Sequence, residues 1–227
     1  FSYPTFWQSM INTVVFCVVV VVFRVVLGLA IAYALNSKMT KHKTFFRTVF
    51  YMPTVTPLVA VAYVWMIMYN PQFGLIDKIF GLDINWLYDS KFALPSLMIM
   101  TIWKDFGYAV ILFLSGLLSL PADCYESASI DGANAWQTFR YITLPLLKPT
   151  MLFVVVTSII SYLQAYVPVL VMTKGGPGTS TYLSSYLVYD QAFKQYNFGY
   201  ASAISLFILV LTAIFTAISF KVTGEKN

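Results

Sequence analysis

Charge is what this chain has least of: Asp, Glu, Lys and Arg make up only 10% of its 227 residues, while the set AVILMFWYC makes up 59%. A polar shell around a water-soluble core cannot be drawn from that composition, so the chain is read as a membrane protein. Cysteine is nearly absent. Cys17 lies in an apolar run and Cys124 in a charged loop, which places them in different compartments and excludes a disulfide between them. The single histidine, His42, sits among basic residues, and no H-E-x-x-H, G-x-S-x-G or paired intramembrane carboxylates occur, so a membrane-embedded enzyme is disfavoured. There is no G-x-x-x-x-G-K-[ST] phosphate loop. The cluster Gly175-Gly176-Pro177-Gly178 lacks the lysine that should follow it, reads as a turn, and leaves the chain without a means of hydrolysing ATP itself. Neither a repeat nor a low-complexity tract is found, and a net charge of +5 calls for no nucleic-acid partner, because its basic residues have a different explanation.

Long apolar runs are present instead. A helix needs about 20 apolar residues to cross a bilayer, and five stretches qualify: 10–35, 50–69, 94–118, 151–172 and 201–222. Between the first two lie Lys38, Lys41, Lys43 and Arg47 with no acid, whereas 70–92 sets Lys78 and Lys91 against Asp77, Asp83 and Asp89. The first loop is therefore expected on the cytoplasmic side. Alternation puts Arg140, Lys148, Lys221 and Lys226 inside as well, and Lys78, Lys91, Lys174 and Lys194 outside, with the C-terminus cytoplasmic. Five crossings leave Phe1 facing outward. The whole chain, 1–227, reads as one transmembrane domain with a cytoplasmic loop at 119–149 and an outer loop at 173–200.

Proline marks where the spans should start or bend. Pro53 and Pro57 are expected to open the second span, Pro95 the third and Pro149 the fourth, while Pro168 should kink the fourth from inside. Gly28 and Ala32 suit close contact of the first span with a neighbour. Three ionisable residues, Arg24, Lys104 and Asp105, fall at bilayer depth, where a charge costs about 2.5–3.5 kcal/mol on insertion scales and is therefore turned inward. Adjacent on a helix, Lys104 and Asp105 should point about 100° apart. Together with Tyr108 and with Ser161, Tyr162, Gln164 and Tyr166 of the fourth span, they supply hydrogen-bonding groups and flat apolar rings suited to a sugar. A salt link between Arg24 and Asp105 is the structural alternative.

The most specific pattern lies in the polar excursion between the third and fourth spans. Glu126-Ser127-Ala128, then Gly132, then Ile142-Thr143-Leu144-Pro145 follow a fixed spacing, with Asp131 just before the glycine. Pro121, Ala122 and Asp123 read as a helix start, Asp123 and Glu126 forming a capping-box-like pair. Gly132 should either end that helix or admit a close backbone.

This spacing resembles the E-A-A, three residues, G, nine residues, I-x-L-P loop of ABC importer permeases; Ser127 in place of the usual Ala is the only departure. The resemblance runs from about Phe6 to Ala217 and includes Asn12-Thr13 opening the first span, Phe46-Arg47, Asn70-Pro71, Phe73-Gly74, Ala93-Leu94-Pro95 and Trp103. Thr173-Lys174-Gly175-Gly176-Pro177, Ala192-Phe193 and Phe198-Gly199-Tyr200-Ala201-Ser202-Ala203 narrow it to the carbohydrate branch, similar to the first-type subunit of maltose and glycerol-phosphate permeases. The resemblance implies an all-α membrane protein with the type I importer permease fold, five spans and a coupling helix, and it would place Phe1 outward only after at least one preceding helix. It implies a bacterial inner-membrane location, a second homologous permease, two ATP-binding cassette subunits and a solute-binding protein as partners, and a di- or oligosaccharide as solute. No cofactor is expected on this chain, ATP and Mg being used by the partner subunits. Glu126, Ser127, Ala128, Asp131, Gly132, Ile142, Leu144 and Pro145 would carry the ATPase coupling. An ion-coupled carrier or channel for a polar solute is the alternative from another class; it would not need the spaced cytoplasmic helix.

Overall fold

The computed structural model describes residues 4–37 and 42–223; Lys38, Lys41 and Lys226, used above in the charge argument, lie outside the described residues. All regular structure among the described residues is helical. Three helices are long and apolar enough to span a bilayer unbroken: α1 (Pro4–Asn36), α5 (Ala93–Leu118) and α11 (Phe198–Thr223). Around them are α2 (Lys43–Val55), α3 (Leu58–Met68), α4 (Leu75–Phe80), α6 (Ala122–Ile130), α7 (Ala135–Leu146), α8 (Lys148–Leu163), α9 (the π-helical turn Val169–Thr173) and α10 (Ser184–Tyr189).

Two expected spans are broken. The second is split at Thr56-Pro57, where α2 and α3 meet at 95°. Pro57 is at fault rather than Pro53, which lies inside α2, because Pro57 has no N–H to continue the helix and takes an extended ψ of 131°. The fourth is interrupted at Gln164–Tyr166 ahead of Pro168, so α8 is only 16 residues, about 24 Å, short of the ~30 Å hydrocarbon core. Pro168 sits in the first turn of the segment that follows, where its missing donor is no loss, and the kink expected there is a full break.

α1 packs along α5, and the fit depends on small residues. A Cβ at Gly28 would stand 2.6 Å from Ala109 Cβ, and Ala32 and Ala109 are fully buried. On the opposite side of α5, Gly107 lets the α2 backbone approach so closely that a Cβ there would collide with the Phe50 carbonyl. The core continues through Phe16, Trp65, Tyr69, Leu97, Tyr162 and Tyr186, tying α1, α3, α5, α8 and α10. Outward faces carry Val22, Phe23, Val26, Leu206 and Leu209 exposed, as expected of helices whose solvent is lipid.

Asn12 and Thr13 do not open α1, which begins at Pro4; they lie buried in its third turn. The Asn12 amide donates to the carbonyls of Thr179 (3.3 Å), Ser180 (3.0 Å) and Tyr182 (3.0 Å), and Thr13 Oγ1 accepts from the Ser184 amide at 2.7 Å. The glycine cluster is a turn, with Lys174 and Gly175 both at positive φ (52° and 90°). Cys17 and Cys124 are free thiols.

Candidate functional site

One end of the bundle carries α6 and α7, a polar protrusion held by its own hydrogen bonds. α6 starts at Pro121 with no side-chain cap; Asp123 lies in the first turn and makes no capping box with Glu126. The box is one helix later, where the Asn134 side chain accepts from the Gln137 amide and Gln137 Oε1 accepts from the Asn134 amide, both at 2.9 Å. Gly132 ends α6 rather than admitting a neighbour: its φ is +73° and nothing lies within 4 Å of a Cβ built there. The Ala133 amide reaches back to the Ala128 carbonyl (2.9 Å) and the Gly132 amide to the Ser129 carbonyl (3.2 Å), the Schellman pattern that needs a left-handed residue between.

Glu126, Ser127 and Asp131 are exposed on this protrusion while Ala128 is buried under it. The Tyr125 hydroxyl meets Thr143 Oγ1 at 3.1 Å, joining α6 to α7, and Phe139 packs edge-on against Tyr33 of α1 at 4.9 Å. Ile142 and Leu144 are half-buried and Pro145 is exposed at the far end of α7, which meets α8 at a 64° bend. A groove of about 590 Å³ runs between α6 and α7, lined by Asp123, Ser127, Asp131, Tyr141, Ile142 and Pro145. Ile130, Trp136 and Tyr141 beside it are 86%, 69% and 73% exposed. Sequence reasoning passed over these three, although large apolar side chains in a polar loop are a signal of contact with another protein.

Within the bundle, the ionisable residues converge. Arg24, 6% exposed, donates from Nη1 to Ser158 Oγ (3.0 Å) and to the Tyr162 hydroxyl (3.2 Å), and its guanidinium lies 5.4 and 5.7 Å from the ring centres of Tyr108 and Tyr162. The Tyr162 hydroxyl in turn donates to Asp105 Oδ2 at 3.1 Å, so Arg24 and Asp105 are connected through a phenol rather than by a direct ion pair. Lys104 and Asp105 do not diverge: the long lysine stem curls back to put Nζ 3.4 Å from Asp105 Oδ1. Lys104 Nζ also donates to the Thr54 carbonyl (3.3 Å), one of the orphan acceptors where α2 ends, and Thr54 Oγ1 donates to the Lys104 carbonyl (3.0 Å).

Both helix breaks therefore abut this network, one at Thr54 and one just beyond Tyr162. At the second break, Ser185 Oγ donates to the Leu163 carbonyl at 3.1 Å, satisfying that helix end. Interrupted helices at bilayer depth are tolerated only inside protein or along a wet cavity, and in transporters they mark the solute path. Gln164 is exposed on a crevice of about 740 Å³ between α8, α10 and α11, within the range of small-molecule sites. Ser205, Thr212 and Thr216 of α11 line its far wall with Ser185. Their spacing of seven and four along α11 puts them on one face, a signal that the sequence contained and that apolar averaging hid.

The seven intramembrane candidates thus separate: four share one network, one opens onto the crevice and two lie in neither. Lys104, Asp105, Tyr108 and Tyr162 join Arg24 in one network; Gln164 opens onto the crevice. Ser161 bonds only the Thr157 carbonyl of its own helix (2.9 Å), and Tyr166 stacks on Tyr189 of α10 at 6.0 Å. At the end of the bundle opposite the protrusion, Asp190 is buried and pairs with Lys194 at 3.0 Å, and Lys194 Nζ donates to the Tyr186 hydroxyl at 2.8 Å. The Tyr186 bond first, and Asp190 after it, hold the Lys194 ammonium above the ordinary lysine range, so it is charged at any physiological pH.

Residues 24–223 match the family described as binding-protein-dependent transport system inner membrane component. The chain is 33% identical to the lactose transport system permease of Rhizobium radiobacter, over 99% of this chain and 78% of that one. It is 36% identical to the trehalose/maltose transport system permease of Thermococcus litoralis, over 96% of this chain and 74% of that one. A chain of a bacterial alginate ABC transporter, crystallised with an alginate pentasaccharide-bound periplasmic protein, superposes with a TM-score of 0.88 at 22% identity, over 98% of this chain and 80% of that one.

Proposed function

Because the chain belongs to the family of inner membrane components of binding-protein-dependent transport systems, we propose that it forms half of the solute pathway of an ATP-driven sugar importer. The observation that carries this reading is the protrusion of α6 and α7. It is an exposed, internally capped knob with Glu126 on its surface, Ser127 and Asp131 on its groove, and Ile130, Trp136 and Tyr141 unburied. Separate ATP-binding cassette subunits would grip that knob, with ATP and Mg bound on their side. A second homologous permease and an external solute-binding protein complete the assembly, and the protrusion and the C-terminus face the cytoplasm.

The mechanism follows from rigid connections. Movement of α6 passes to α7 through Tyr125 and Thr143, and to α1 through Phe139 and Tyr33. From α7 it passes through the bend into α8, which carries Tyr162 fourteen residues, about 21 Å, from Lys148. A small tilt of α8 at the knob thus becomes a displacement at Tyr162 and at the Gln164 crevice. Sugar is the proposed solute because the crevice combines hydroxyl and amide groups with apolar walls, and because the lactose and trehalose/maltose permeases resemble the chain over nearly its whole length.

The test is reconstitution of the permease pair with its ATPase subunits and binding protein in vesicles. Sugar-stimulated ATP hydrolysis and uptake that stops on ATP depletion are expected. Uptake that instead collapses with an uncoupler while ATP is held constant transfers the chain to the ion-coupled carriers.

A further inference from the structure

Tyr186, Tyr189 and Phe193 recur at spacings of three and four, which aligns their rings along one face of α10 and the π-helical turn Asp190–Lys194 after it, and Tyr182 precedes them just ahead of α10. Tyr182 meets Tyr186 edge-on at 5.1 Å, Tyr186 stacks on Tyr189 at 6.1 Å and Tyr189 meets Phe193 at 5.5 Å. Tyr166, released from helical geometry by the break in the fourth span, joins from the side, stacked on Tyr189 at 6.0 Å with planes 23° apart. Burial changes along the series: Tyr186 is fully buried and Tyr189 half-buried, but Tyr166 is 39% and Phe193 64% exposed. Packing explains the rooted end and leaves the two exposed rings unexplained.

We propose that Phe193, Tyr189 and Tyr166 form a stacking rail for neutral oligosaccharides, an outlying binding surface that hands the chain of sugars from the 174–197 loop to the crevice at Gln164. The inference rests on the sugar-importer reading and adds a site to it. Pyranose rings present C–H faces that sit on aromatic rings and hydroxyl edges that need hydrogen-bond partners. The rail supplies the rings; Gln164, exposed two residues before Tyr166, supplies an amide where it ends. Neutrality follows from Lys194, whose ammonium lies 5.0 and 5.9 Å from the Tyr186 and Tyr189 ring centres but is already matched by buried Asp190. That pair leaves the rail without an uncompensated charge to select an acidic sugar, and it fixes the two rooted rings in place. What separates the rail from an ordinary lipid-facing patch is its place in the chain: Gln164 and Val188 line the crevice, two residues before Tyr166 and one before Tyr189, and the last ring stands at the helix break.

Uptake of lactose, trehalose and glucose oligomers of two to five units by the reconstituted complex tests it. In Phe193→Ala, the KM for the longest transported oligomer should rise about 3- to 10-fold while that for a disaccharide changes less than about 2-fold, since only a longer chain occupies rail and crevice together. Phe193→Trp should keep the unaltered values, and Phe80→Ala, which removes an exposed ring on α4 away from the rail, should change none. Phe193 is exposed, so its truncation opens no core cavity, and thermal unfolding of the variant should match the unaltered complex. An equal change at all lengths, or the same loss in Phe193→Trp as in Phe193→Ala, makes Phe193 a contact for lipid or a partner protein and overturns the rail alone. Transport of none of these sugars by the unaltered complex overturns the sugar reading and the rail with it.

Discussion

The protrusion of α6 and α7 and the Arg24 network are both polar, and they are built by opposite means. The protrusion is made of residues close in sequence, capped by Asn134 with Gln137 and closed by Gly132, with Glu126, Ser127 and Asp131 exposed. The network takes Arg24 from α1, Lys104 and Asp105 from α5, Tyr162 from α8 and a carbonyl from α2; Arg24 and Tyr162 are buried and the others half-buried. The first can change its surface chemistry without losing its shape, whereas the second cannot lose Asp105, its one carboxylate, without leaving Arg24 and Lys104 with no anion beside them. Under the proposed function, coupling falls to the first and folding to the second.

Substitutions that separate stability from coupling sharpen this contrast. Asp105→Leu leaves buried Arg24 and half-buried Lys104 with no anion, and should destabilise the folded permease by about 2.5–3.5 kcal/mol, seen as early thermal unfolding in detergent. A variant as stable as the unaltered protein would mean that the network is solvated and the contrast false. Gly132→Val forces a β-branched residue to φ +73° and should cost about 1–2 kcal/mol, while sugar-stimulated ATP hydrolysis falls further than the small loss of folded protein explains. Asn134→Ala removes the cap of α7 and should cost about 1 kcal/mol; hydrogen exchange confined to the protrusion checks that the loss stays local. Glu126→Lys should lie within about 0.5 kcal/mol of the unaltered stability and yet abolish stimulated hydrolysis. Full coupling in that variant removes Glu126 from the docking surface.

The same contrast explains what could be read before the fold was seen. The protrusion was legible because its geometry is local: the spacing from Glu126 to Gly132 is the length of one short helix and its C-terminal turn. Even there, the capping box was assigned to Asp123 and Glu126 when Asn134 and Gln137 form it, since both pairs fit the pattern and only backbone geometry distinguishes them. The three intramembrane charges were legible as inward-facing from solvation cost alone, but not the phenol of Tyr162 that joins two of them, because partners 57 and 138 residues apart leave no periodic trace. Hydropathy averaging detects apolar length and is blind to direction, so the 95° turn at Pro57 and the break at Gln164 were read as continuous spans. The hydroxyl face of α11 was lost for the same reason.

The Asn12 amide has one further consequence. By binding the carbonyls of Thr179, Ser180 and Tyr182, it clasps the start of the first span to the hairpin before α10, with Thr13 and Ser184 as a second fastening. A mouth on that side cannot yawn by peeling its loop away; α1, the hairpin and α10 have to swing as a single jaw.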